Sequence, residues 1–207
     1  NLSTKLDEER QWEFTLLDLD FESGDNLQLR STHLFEYLDE AFEVSDGIDI
    51  QPGTYANWEW RLEGRTASRR RVSTNVELGR SGFWDGTRLN TQVGLTLRPD
   101  PGLSLSWDWE RNHVDLPKGS FNASVYRMSS GWDASPWVSL SGNVQYDDVS
   151  DLLGLFAKLR WIVRPGNDVF LVYSHNWERS YTDDVLDRRF NTISRGASMK
   201  VNYTYRF

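Results

Sequence analysis

The chain has 207 residues with 31 acidic and 23 basic side chains, a net charge of -8, and 14% aromatics including ten Trp. That acidic balance argues against a nucleic-acid partner, whose recognition relies on clustered Lys and Arg. The absence of Cys removes any disulfide framework or thiolate zinc site, and no run approaches the ~18 consecutive apolar residues of a spanning helix.

In chain order, apolar and polar residues alternate with period two, and the alternation is interrupted about every nineteen residues. About eleven strands are expected, near 12–21, 26–37, 55–66, 72–80, 88–98, 103–112, 121–132, 137–147, 152–164, 169–177 and 194–207. The pattern is clearest in residues 89–98. Leu89, Thr91, Val93, Leu95 and Leu97 share one face, and Asn90, Gln92, Gly94, Thr96 and Arg98 share the other. Helix signals are nearly absent, the one candidate being the short stretch Leu38 to Val44 among Asp, Gly and Pro. The whole of residues 1–207 reads as one all-β domain.

Alternation alone fits a soluble sandwich as well as a barrel in lipid. Three features favour an antiparallel transmembrane β-barrel of the bacterial outer membrane. Tight connections at 22–26, 67–71, 98–102, 133–136 and 164–168 alternate with mostly longer, acidic ones such as 39–53, 112–120 and 178–191, as periplasmic turns alternate with extracellular loops. Phe207 closes an amphipathic strand, like the terminal signal read by the outer-membrane assembly machinery. Trp12, Trp58, Trp84, Trp132, Trp137, Trp161, Tyr173 and Trp177 fall near strand ends, where an interfacial girdle would lie. With Phe207 periplasmic, counting strands backwards puts residues 1–9 outside the cell. Single-chain barrels have even strand numbers, so the chain is expected to be the C-terminal portion of a larger barrel. Its strand at 12–21 would pair with upstream strands or another chain, and its other partners would be the lipid bilayer and lipopolysaccharide. Any export signal would have been removed or lie upstream.

Several stretches resemble one family. They are Leu38-Asp39-Glu40-Ala41-Phe42-Glu43 with Pro52-Gly53-Thr54-Tyr55, Leu97-Arg98-Pro99, the segment from Glu110 to Phe121, and above all LRWIVRPGNDVFLVY from Leu159 to Tyr173. Together they resemble the bacterial outer-membrane proteins that carry an N-terminal carbohydrate-binding-family-nine-like domain before an uncharacterised β-barrel. The resemblance spans roughly residues 25 to 175 and implies the C-terminal end of that barrel, with no assigned activity.

The face opposite the apolar one carries Arg30, Glu59, Arg61, Glu63, Arg65, Glu77, Asp108, Glu110, Lys158, Arg160, Lys200 and Arg206. Both signs are present, which fits a solvated lumen or a network of paired side chains and gives no strong preference for anions or cations. The expected function is a channel or uptake barrel for small polar solutes, with no cofactor. One alternative is a binding or scaffold barrel acting through its outer loops. Another is a hydrolase at His113 or His175, the latter with Ser174 and Asp183 or Asp184, while His33 lies mid-strand. The acidic loops with Asp39, Glu40, Glu43, Asp46 and Asp49, and with Asp183, Asp184 and Asp187, lack the spacing of a calcium-binding loop and are expected to be solvated.

Overall fold

A computed structural model describes residues 9–45, 47–180 and 189–205. Thirteen strands follow in chain order among these residues: β1 (Glu9–Asp20), β2 (Asn26–Leu38), β3 (Phe42–Ser45), β4 (Ile48–Ile50), β5 (Gly53–Arg65), β6 (Val72–Phe83), β7 (Gly86–Leu97), β8 (Leu103–Leu116), β9 (Gly119–Ser135), β10 (Val138–Asp147), β11 (Leu152–Arg164), β12 (Asn167–Ser180) and β13 (Arg189–Asn202). Eleven of them form one antiparallel sheet in the order β1-β2-β5-β6-β7-β8-β9-β10-β11-β12-β13, and β3 pairs with β4 in a small hairpin of its own. The two ends of the order are β1, registered against β2, and β13, registered against β12. No helix among the described residues is long and apolar enough to cross a membrane.

Two compact units are distinguished. The first comprises Asn1–Ser68, Thr74–Val93 and Glu110–Ala123; the second comprises Arg69–Ser73, Gly94–Trp109 and Ser124–Phe207.

The eleven expected strands correspond to the eleven of the main sheet, but several run further. The segment 112–120, expected as a loop, consists of the ends of β8 and β9 joined across Pro117 and Lys118. Strand also continues through Ser180 and resumes at Arg189, within the connection expected at 178–191. The contrast between short and long connections is therefore weaker than the sequence implies. Polar residues at the ends of long strands resemble loop composition, and period-two alternation does not register where a strand outgrows its apolar band.

Side-chain chemistry explains the tight turns. Gly166 takes a φ of 88° after Pro165, a left-handed conformation that glycine adopts without steric cost. The Ser135 hydroxyl accepts from the backbone N–H groups of Trp137 and Val138, and Asp147 accepts from those of Val149 and Ser150.

In β5, Trp58 and Trp60 are each 50% exposed, while the Glu59 side chain between them is 19% exposed. The same inversion recurs along the chain. Leu78, Leu89, Leu105, Leu140, Trp161 and Leu171 are among the exposed apolar side chains. Buried hydrophobic side chains among the described residues are few: Ile48, Ile50, Ala67, Val114 and Leu116. The sheet presents an apolar face on its surface.

Close backbone approach gives a check on the strand contacts. A Cβ on Gly86 would overlap the Asp115 carbonyl, whereas one on Gly64 meets only the Leu27 side chain at 3.8 Å. Gly86→Ala should therefore destabilise the protein by about 1–3 kcal/mol and Gly64→Ala by much less, read as shifts in urea unfolding midpoint. Equal shifts would contradict the placement of Gly86.

Candidate functional site

Registered pairing defines the charged face of the first unit. Arg30 stands opposite Arg61 across β2 and β5, and Glu63 stands opposite Glu77 across β5 and β6. Like charges directly opposite destabilise a sheet. Here the diagonal neighbours carry the other sign. Arg30 Nη2 lies 2.8 Å from Glu63 and its Nη1 3.7 Å from Glu13; Arg61 pairs with Glu59 and reaches Glu77 at 3.4 Å. Arg88 of β7 adds a contact to Glu59 at 3.7 Å and lies over the Phe83 ring.

Of these, Glu59, Arg61, Glu77 and Arg88 line a cavity of about 450 Å³ with Asn90, Gln92, Glu110 and Asn112, and with Val44, Phe83, Val114 and Phe121 toward the β3–β4 hairpin. Asn112 donates to Glu110 at 3.3 Å, and Asn90 to Asn112 at 3.1 Å. The Arg88 Nε and the Asn90 Oδ1 are buried without a hydrogen-bond partner. The wall thus offers charges of both signs together with an uncommitted donor and acceptor.

The second unit holds a larger concavity, about 610 Å³, lined by Arg69, Arg70, Arg71, Arg98 and Lys158 together with Asp100 and Asp133. The Arg98 guanidinium is oriented by the Ser73 hydroxyl at 2.9 Å. Five cations in one cavity of a chain with net charge -8 create a local positive potential that attracts anions.

The remaining expected lumen residues divide accordingly. Arg65 is exposed at the end of β5, Asp108 is half-buried in the second unit, and Lys200 is exposed on β13. Arg160 pairs with Asp168 at 3.0 Å and lies over Phe170. Arg206 and Phe207 lie outside the described residues, as do Asp46, Asp183, Asp184 and Asp187. Four residues of these cavities escaped the sequence reading. Arg88 shares the parity of Asn90 and could have been found from it, but Arg69 to Arg71 read as a turn.

Two expectations need correction. Trp84 does not join an interfacial girdle; it sits in the turn after β6 and packs edge-on against Phe42 and Phe83. The loop 39–53 is not simply solvated, because it folds into the hairpin β3–β4 with Ile48 and Ile50 buried. Asp39, Glu40, Glu43 and Asp49 are exposed, as expected of them, but Ile48 and Ile50 alternate with Asp49 and reach apolar partners far along the chain.

Among the described residues the three histidines have the following partners. His175 shares its ring nitrogens with the Tyr173 and Thr192 hydroxyls, each at 2.9 Å, and stacks on Trp177. Ser174, its neighbour in β12, projects from the other side of the strand. His113 lies 3.4 Å from Asp115 and 2.9 Å from Asn122, and His33 packs against Trp58. None of these contacts joins a ring nitrogen to a serine hydroxyl.

No protein-family model matches the chain, and no curated protein matches it significantly. Among solved structures it is similar to a NanC porin in a rhombohedral crystal form, at 8% identity and a TM-score of 0.38, covering 96% of this chain and 94% of that one. At that identity and score, nothing about ligand or activity is carried across.

Arg61 links three carboxylates on the charged face. Arg61→Gln should destabilise the protein by about 1–2 kcal/mol, because Glu59, Glu63 and Glu77 then repel without a shared cation. Adding Glu77→Gln should recover part of that loss, measured as a double-mutant cycle in denaturant unfolding. Strict additivity would show that the pair does not interact.

Proposed function

We propose that the chain forms part of a β-barrel in a bacterial outer membrane and serves passive passage or uptake of small polar solutes. The observation that carries this reading is the inverted polarity of the strands. Trp58, Trp60 and Leu62 are exposed while Glu59 and Arg61 between them are half-buried. Lipid accepts such an outer face and water does not.

The outer face also has a boundary. In β8, Leu105, Trp107 and Trp109 give way to Arg111, His113 and Asp115 on the same side, and Arg111 and His113 converge on Asn122. The apolar band therefore ends near Trp109, and β8 and β9 continue beyond the hydrocarbon.

In this reading β1 cannot remain an edge, since unpaired backbone groups in lipid cost several kcal/mol each. Its partner is upstream sequence or another chain, in keeping with the resemblance to the C-terminal end of a larger barrel. A further proposed partner is lipopolysaccharide. The mixed charge ladder favours dipolar or neutral solutes, and the arginine-lined concavity draws anions toward its own mouth.

Planar-bilayer recording of the intact parent protein tests the function. Discrete conductance steps with weak ion selectivity are expected, and a correctly folded barrel that never conducts would leave only a scaffold role. The face assignment is tested by unfolding in lipid vesicles. Val93 shares the outer face with Leu89 and Leu95, and Gln92 lines the charged cavity. Val93→Arg should cost about 2–4 kcal/mol if its position is near the bilayer midplane, and Gln92→Arg much less. Equal costs would show that the faces are misassigned.

A further inference from the structure

The hairpin β3–β4 holds the deepest apolar contact in the first unit. Ile50 is 1% exposed and Val114 2%, and with Ile48 and Leu116 they form one buried cluster. Val114 and Leu116 alternate in step with Glu110 and Asn112 along β8, so they lie on the charged face. The hairpin is therefore seated on the charged side of the sheet, away from the apolar exterior.

Two strands of four and three residues are too short to be stable alone. Local hydrogen bonds and this seat hold them. Glu43 accepts from the Gly47 backbone N–H at 2.7 Å, and the Tyr55 hydroxyl donates to the Gln51 carbonyl at 2.6 Å. At the outer edge Lys118 lies 3.4 Å from Asp49. Val44 lines the mixed-charge cavity itself, which makes the hairpin one of its walls.

Resting on the channel reading, we propose that β3–β4 is the constriction of the passage and sets the size limit for solutes that pass Glu59 and Arg88. The ladder pairs the inner edge of each strand of the hairpin, and water in a filled interior can satisfy the outer edges. Its apolar side is spent on the seat and its acidic side remains for the solute. A loop that only connected β2 to β5 would have no need to bury two isoleucines among residues some sixty positions away.

The test uses the intact parent protein in planar bilayers, with size limits read from exclusion of polyethylene glycols. Ile50→Asp should unseat the hairpin, raise conductance about twofold or more and admit larger polymers. Because that variant could fail to fold, a second arm alters an exposed position. Asp49→Cys, treated with a bulky thiol reagent in a chain that has no other Cys, should roughly halve the conductance. Val149→Cys, in the exposed turn after β10, should be unaffected by the same reagent. A conducting channel in which Asp49→Cys labelling changes neither conductance nor polymer limit overturns the constriction and leaves the channel reading standing. A wild type that is silent while Ile50→Asp conducts supports it in its tightest form. Silence of the folded wild type and of every folded variant overturns the channel reading and the constriction with it.

Discussion

Every backbone N–H and C=O in the sheet needs a partner on the neighbouring strand, and that requirement becomes absolute if the exposed face meets hydrocarbon. In water an unpaired group costs little, but in lipid it costs several kcal/mol. The side chains Trp58, Trp60, Leu78, Leu89 and Leu105 are exposed, as the proposed lipid setting requires. In that proposed setting the antiparallel ladders are long, tight turns keep strands adjacent, and β1 and β13 each need a further pairing partner.

With the apolar residues facing outward, ordinary hydrophobic burial cannot order the interior. Charge does part of that work. Arg30 opposite Arg61 and Glu63 opposite Glu77 would each repel in isolation, but the checkerboard of signs converts them into a network in which each cation has more than one carboxylate. Such a network specifies register, because a one-residue slip would move the charges to the apolar side. Where charge runs out, at the hairpin end of the first unit, a small apolar cluster around Ile50 and Val114 takes over.

The two faces were legible in the sequence because period two is local: Leu89 and Asn90 announce opposite sides without reference to any other strand. Eleven strands and the charged positions Arg30, Glu59, Arg61, Glu63 and Glu77 follow from that parity. The seat of Ile48 and Ile50 was not legible, since their partners Val114, Leu116 and Phe121 are distant in sequence and the surrounding Asp and Glu suggest solvent. Arg69 to Arg71 illustrate the same difficulty. A turn's composition names the turn, but only the fold brings Arg98 and Lys158 to the same cavity. The polar ends of β8 and β9 were read as loop because alternation carries no signal once both faces are wet.

The central claim is that one strand face meets lipid and the other meets water. It is tested most directly by nitroxide labels placed singly at positions 57 to 63 of β5 in the intact protein in lipid bilayers. The account predicts high collision rates with oxygen at 58, 60 and 62 and with a water-soluble nickel complex at 57, 59, 61 and 63, alternating along the strand. The opposite phase, or no alternation, would contradict it.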